Sequence, residues 1–184
     1  VNGIFSFALY DAVSRALWLC RDRMGVKPLY YGKFANRLIF GSELKALIRH
    51  PAFSRQIDRN AVAAFLRNNY VPGDCSIYEG VDKVPPGTLL RFNANAQQHA
   101  IRYWSLTEVV RKGIAEPIAR PDDAQGELTS LLQDSVKRQM VSDVPLGGLL
   151  SGGIDSSLVV AMMQRASSKP VETFTIGFSD REFD

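Results

Sequence analysis

The chain has 184 residues, 46% of them apolar, and a formal net charge of +3. That length admits one domain or two small ones, and the apolar fraction is ordinary for a globular protein. The small charge gives no reason to expect a nucleic-acid or membrane partner, and no apolar run approaches the roughly 18 residues of a membrane span.

Cys20 and Cys75 make no disulfide framework and suit a reducing cytoplasm. The first residue is Val1, not Met, and the chain stops soon after a strand pattern. Both features predict an internal piece of a longer protein, because a parallel sheet needs more strands than remain before Asp184.

Residues 1–40 read as short strands at hairpin spacing: Ile4–Tyr10, Ala16–Cys20, Leu29–Tyr31 and Leu38–Phe40. Their pairing should be antiparallel. Ser42 is a candidate cap for a short helix, Glu43–Arg49, which Pro51 ends. Arg21, Asp22, Lys27 and Glu43 read as surface or ion-pair residues that shape the turns. Asp58 caps a second predicted helix over residues 58–70, with Val62, Phe65 and Leu66 on its apolar face. Pro85-Pro86-Gly87 makes a stiff turn into the strand Leu89–Phe92, and Arg102-Tyr103-Trp104 follows, with Trp104 as a packing anchor.

Cys20 falls inside a strand pattern and should be buried and inert, while Cys75 falls in a loop. His50 and His99 stand alone and read as surface residues. Residues 105–122 carry Lys112-Gly113, Glu116-Pro117 and Arg120-Pro121 and read as a linker. Asp122 or Asp123 should cap the next helix. Its Leu128, Leu131, Leu132, Val136 and Met140 recur at helical spacing and should pack on the following sheet.

That sheet begins with the apolar run Leu146–Leu150. The loop Ser151-Gly152-Gly153-Ile154-Asp155-Ser156-Ser157 comes next, then a helix-length apolar stretch, then a β-rich run over Val171–Phe178. Strand, loop, helix, strand is the unit of a parallel sheet. It puts the loop at a helix amino terminus, where unpaired N–H groups and partial positive charge suit an anion, phosphate above all. Gly152 and Gly153 let a ligand reach the backbone, and Ser151, Ser156 and Ser157 add hydroxyls. Asp155 is an acid in an anion site; it makes sense as a helix cap or as a ligand of a Mg²⁺ that bridges phosphates. A Walker loop is excluded because no lysine is present, and the dinucleotide fingerprint because its Gly-x-Gly-x-x-Gly spacing is absent. The plainer reading is a Gly/Ser-rich turn before a core helix.

The Ser-Gly-Gly-x-Asp-Ser-Ser string resembles the pyrophosphate loop of the ATP pyrophosphatases. The segment Arg21-Asp22-Arg23-Met24-Gly25-Val26-Lys27-Pro28-Leu29-Tyr30-Tyr31, with Gly41-Ser42-Glu43-Leu44-Lys45-Ala46-Leu47, narrows the resemblance. Together with Pro85-Pro86-Gly87 and Tyr103-Trp104, it is similar to the glutamine-hydrolysing asparagine synthetase family over nearly the whole chain.

The fold this implies is an α+β amino-terminal part, with antiparallel sheets of the Ntn-hydrolase type, followed by an α/β parallel-sheet nucleotide-binding part of the ATP-pyrophosphatase type. Both are expected to be incomplete. Residues 1–104 would be the carboxyl-terminal part of the glutaminase domain, 105–122 the linker, and 123–184 the start of the synthetase domain.

The resemblance implies a cytoplasmic ligase that uses ATP and Mg²⁺, with aspartate and glutamine as further substrates, and it allows a homodimer. Aspartate would be adenylylated, with release of pyrophosphate, and then amidated by ammonia from glutamine. Ser151, Gly152, Gly153, Ser156 and Ser157 would bind pyrophosphate, and Leu149 and Ile176 would contact the adenosine, where plain core packing is the competing reading. Asp155 would hold Mg²⁺ with a partner carboxylate beyond Asp184, and Ile154 would be packing. The family's nucleophilic amino-terminal cysteine and its glutamine contacts would precede Val1, so no glutaminase residue is assigned and the chain alone should be inactive. Gly148 stands where relatives often carry a larger apolar residue and should weaken its strand slightly. Related enzymes with other carboxylate acceptors, such as cell-surface polysaccharide amidotransferases and β-lactam synthetases, share the loop. A non-catalytic nucleotide-binding module is the alternative of a different class.

Overall fold

A computed structural model describes residues 2–118 and 120–177 of the chain. They fall into two compact units, Val1–Ala115 and Glu116–Asp184.

The first unit contains two antiparallel sheets. One has the order β1-β2-β6-β7, from β1 (Ser6–Asp11), β2 (Ala16–Arg21), β6 (Thr88–Phe92) and β7 (Gln98–Arg102). The other has the order β4-β3-β5, from β3 (Tyr30–Phe34), β4 (Arg37–Gly41) and β5 (Val81–Lys83). The predicted hairpins are present, with bounds shifted by one or two residues. In the first hairpin Tyr10 stands opposite Leu17.

The core is built from inward-facing residues of both sheets. Leu19, Leu90 and Phe92 of the first sheet pack with Tyr31 of the second and with Leu29 and Val84. A second cluster joins Phe34, Ile39 and Val81 to Leu47 of the helix α1 (Leu44–Ile48). Burial of such side chains is the main stabilising term, about 1.5–3 kcal/mol each.

Local signals fared unevenly. Asp58 caps α2 (Arg59–Asn68), accepting from the Asn60 and Ala61 N–H groups. Ser42 does not cap α1: the cap position is Glu43, one residue later, and no side chain bonds there. On α2 it is Ala61 that is buried, while Phe65 and Leu66 are exposed. Residues 106–115, read as part of a linker, form a helix, α3 (Leu106–Ala115). The Pro and Gly residues that suggested a linker fall mostly outside its first turns, and Leu106, Val109, Val110 and Ile114 recur at helical spacing.

Gly87 shows why the Pro-Pro-Gly turn matters. Its φ is +60°, and a Cβ there would lie 2.4 Å from the Trp104 carbonyl oxygen. Its N–H donates to the Asp22 carbonyl, and its own carbonyl accepts from Tyr103 and Trp104. Only a residue without a side chain closes both contacts. Trp104 is half-buried, which fits an anchor.

In the second unit, α4 (Pro121–Gln139) starts with Arg120 at the cap position and no capping side chain; Asp122 and Asp123 sit instead in the first turn, where the helix dipole favours them. It lies against a second helix, α5 (Ile154–Ala166), so this helix and not the strand receives it. β8 (Gly147–Leu149) and β9 (Glu172–Phe174) pair in parallel, joined through α5. The expected second strand is thus shorter, and Phe178 lies outside the described residues.

Gly148 earns a different account from the one its strand position suggested. It is buried under α5, and a Cβ there would stand 2.9 Å from Val160 Cγ2 and 3.4 Å from Met163 Sδ. The missing side chain lets the helix approach the strand. Gly148→Val is therefore expected to destabilise the second unit by about 1–3 kcal/mol. Val160→Ala in the same chain should recover part of that loss. Thermal melts of the four proteins in the cycle measure the coupling; strictly additive effects would remove the packing explanation.

Candidate functional site

β8 ends at Leu149, and the chain then turns through Leu150 and Ser151 into the loop and α5. The register pairs Leu149 with Phe174, so the loop lies at the carboxyl end of both strands. This is where α/β sheets place ligands.

Gly153 occupies the cap position of α5 with φ −76° and ψ 159°, and no side chain caps this end. Asp155 belongs to the first turn and is not the cap, so of its two expected roles the capping one is not what the structure shows. The first N–H groups of a helix have no intrahelical partner, so they face outward as donors. Gly152 has φ +79°, and nothing lies within 4 Å of where its Cβ would be; at Gly153 only Ser151 Oγ comes near, at 3.5 Å. The backbone here forms an open cradle with partial positive charge, suited to an oxygen-rich anion.

The serines bond among themselves. Ser156 Oγ donates to the Gly153 carbonyl at 3.1 Å and accepts from the Ser151 N–H at 3.3 Å. Because its proton goes to Gly153, the 3.0 Å contact with Ser151 Oγ has Ser151 as donor. Ser157 Oγ donates to the same Gly153 carbonyl at 2.8 Å. These hydroxyls hold the loop's shape and would have to rotate to reach an anion. Backbone N–H groups are the donors already free of that requirement.

Leu149 is 73% exposed and Ile176 76% exposed among the described residues. Ile154, expected as packing, is 86% exposed. It sits on the outward side of the first turn of α5, where periodicity alone does not reveal the buried stripe. Among the described residues no group of three or more His, Cys, Asp or Glu side chains is placed to hold a metal ion. Asp155 is thus a single carboxylate, able to complete a cation's shell but not to build one.

The first unit has its own polar centre, which single-residue reasoning undervalued. Asp22 is 2% exposed. Its carboxylate accepts from the N–H groups of Met24 (3.2 Å), Val26 (3.0 Å) and Lys27 (2.9 Å). Burial alone raises its pKa, but the backbone donors of Lys27, Val26, Met24 and Gly25 together outweigh burial, and the net shift is downward. Arg21 clamps the same loop from outside, donating to the carbonyls of Lys27, Gly25 and Val84. Tyr103 Oη donates to the Arg21 carbonyl at 2.6 Å. Both residues shape the turn, but not as the surface charges or ion pairs expected of them: Asp22 is buried and accepts backbone bonds, and Arg21 donates to backbone carbonyls. Lys27 takes part through its backbone and not its side chain, and Glu43 pairs with Lys45 on the surface.

Cys20 is buried, and burial pushes its thiol pKa up, so it is protonated and unreactive at neutral pH. Cys75 is exposed. His99 is exposed, and His50 is half-buried, its Nδ1 accepting from the Ala52 N–H. No helix among the described residues is long and apolar enough to cross a membrane.

Comparison with known proteins matches both units. Residues 1–104 match the family model of the glutamine amidotransferase domain, and residues 127–184 that of asparagine synthase. The chain is 34% identical to asparagine synthetase [glutamine-hydrolyzing] 3 of Bacillus subtilis, over 99% of this chain and 29% of that protein. It is 34% identical to asparagine synthetase [glutamine-hydrolyzing] 2 of the same organism, over 96% of this chain and 24% of that protein. The amidase chry2 of Gibberella zeae is 32% identical over 89% of this chain and 23% of its own length. The chain thus spans less than a third of each of these relatives. With one family model covering more than half of it and the second following in order, the chain belongs to the glutamine amidotransferase family, in the branch that continues into an asparagine synthase domain.

Proposed function

We propose that the protein activates a carboxylate with ATP and converts it to an amide, with aspartate as acceptor and glutamine as nitrogen source. The observation that carries this reading is the open, glycine-lined cradle at the amino terminus of α5, at the carboxyl end of β8. The names of the B. subtilis relatives support the choice of aspartate and glutamine.

In this reading the aspartate side-chain carboxylate attacks the α-phosphorus of ATP, the bond to the β-phosphate oxygen breaks, and pyrophosphate leaves. Ammonia then displaces AMP from the β-aspartyl-AMP. Backbone N–H groups at Gly152, Gly153 and the first turn of α5 receive the negative charge that grows on the departing pyrophosphate. Ser156 and Ser157 join once their hydroxyls turn from the Gly153 carbonyl, and Ser151 once its hydroxyl turns from Ser156. The exposed Leu149 side chain and the main chain of Ile176 border the adenosine. The first unit would be part of an Ntn-type glutaminase, and the second the beginning of an ATP-pyrophosphatase-type sheet.

The donor set fits Mg²⁺ only in part: Asp155 would supply one carboxylate and phosphate oxygens the rest. When bound, the ion neutralises phosphate charge. The residues of this chain bind and orient the triphosphate.

The test is pyrophosphate release by the full-length protein supplied with ATP, Mg²⁺ and glutamine. Release that requires aspartate is expected. ATP binding without cleavage would overturn the reading in favour of a nucleotide-binding module. The similarity to the amidase chry2 favours, as a second reading, the same activation with another carboxylate acceptor. Release driven by a different carboxylate, with aspartate inert, would select it.

A further inference from the structure

Leu150 joins β8 to the loop, and both of its backbone polar groups are held by the far end of β9. Its N–H donates to the Phe174 carbonyl at 2.8 Å. Its carbonyl accepts from Thr175 Oγ1 at 2.7 Å. β9 stops at Phe174, so the regular ladder ends here. In a parallel ladder the next rung would bring a backbone N–H to such a carbonyl. A side-chain hydroxyl takes that place, and the main chain of Ile176 lies outside the strand.

The Leu150 carbonyl and the Ser151 N–H belong to one peptide plane, and that plane is rigid. Fixing the carbonyl therefore fixes the direction of the Ser151 N–H. That N–H meets Ser156 Oγ, which bonds in turn to the Gly153 carbonyl at the cap of α5. A continuous chain of bonds runs from Thr175 through Leu150, Ser151 and Ser156 to Gly153.

We infer that Thr175 is a positioning residue for the anion loop: its hydroxyl sets the plane of the Leu150–Ser151 peptide and, through Ser156, the orientation of the cradle. This rests on the proposed function for its catalytic consequence, though not for its structural one. The hydroxyl also replaces the rung that would otherwise extend the ladder toward Ile176. It ends the sheet at the point where the main chain is proposed to border the nucleotide.

Two measurements on the full-length protein test it. In Thr175→Val the side chain keeps its shape and loses the donor, while Thr175→Ser keeps the donor. Hydrogen exchange of the loop amides, residues 151–157, should be faster in Thr175→Val and as in the native protein in Thr175→Ser. Where pyrophosphate is released, kcat/KM for ATP should fall about tenfold in Thr175→Val and recover in Thr175→Ser, because a misplaced donor weakens transition-state contacts. Unchanged loop exchange in Thr175→Val would overturn the role, as would a Thr175→Ser protein that behaves like the valine variant. A native protein that releases no pyrophosphate would sink the proposed function and leave the exchange measurement to decide on Thr175.

Discussion

Asp22→Ala is expected to destabilise the first unit by about 3 kcal/mol, measured by urea unfolding. Three backbone N–H groups, at Met24, Val26 and Lys27, point at one carboxylate that is almost wholly buried. Alanine leaves them without that acceptor, and each unsatisfied buried donor costs on the order of 1–3 kcal/mol before relaxation. Loop relaxation and water entry keep the total below the sum. The loss spreads, because the Asp22 backbone also bonds to Phe5 and Gly87 and so links β2 to the Pro-Pro-Gly turn.

Asp22→Asn should cost less, since one carbonyl oxygen remains, but it should change the pH profile. The folded pKa of Asp22 lies below its unfolded value. The unfolded chain therefore binds the proton more readily in acid. The stabilisation from Asp22 is present above the unfolded pKa, near 4, and is lost as pH falls through the folded pKa. Stability measured from about pH 5 down to pH 2 should fall less steeply in Asp22→Asn than in the native protein. Equal slopes would show that the pKa of Asp22 does not differ between the folded and unfolded chain.

Gly152→Val separates folding from function in the second unit. At φ +79° a branched side chain is strained, at a cost of about 1–3 kcal/mol. No protein atom lies within 4 Å of the added Cβ, so the Cβ itself adds no clash to that strain. The side chain would instead project into the open cradle. The expected result is a modest fall in melting temperature, with pyrophosphate release by the full-length protein reduced on the order of 10²–10³-fold, the scale of losing one positioned donor. Gly153→Ala, at an ordinary φ of −76°, should unfold like the native protein and lose activity less severely. Undiminished release by a folded Gly152→Val would remove the cradle from the mechanism.

The anion loop was legible because its evidence is local. A strand pattern, two glycines, clustered hydroxyls and a helix-length apolar run follow one another within the chain, and short-range backbone geometry follows from such order. The same holds for Asp58, whose cap depends only on the next three residues. The wrong readings share a cause as well. Ser42, Asp122 and Asp123 were given caps that packing placed one to three residues away, and helix ends shift with tertiary context. The helix over residues 106–115 is missed when Lys112-Gly113 and the later Pro117 and Pro121 are weighed above its own apolar spacing.

The sequence by itself determined that the chain has an antiparallel part and a strand–loop–helix–strand part, with a glycine- and serine-rich loop between strand and helix. Tertiary structure alone decided what Asp22, Gly148 and Thr175 do. Gly148 and Thr175 meet partners distant in sequence; the side-chain donors of Asp22 lie only two to five residues on, and packing supplied its burial and its backbone links to Phe5 and Gly87. Asp22 receives a loop folded back over it, Gly148 lies beneath Val160 and Met163, and Thr175 reaches Leu150 from 25 positions away. A residue's type limits the bonds it can make, but which partner arrives depends on how the whole unit packs.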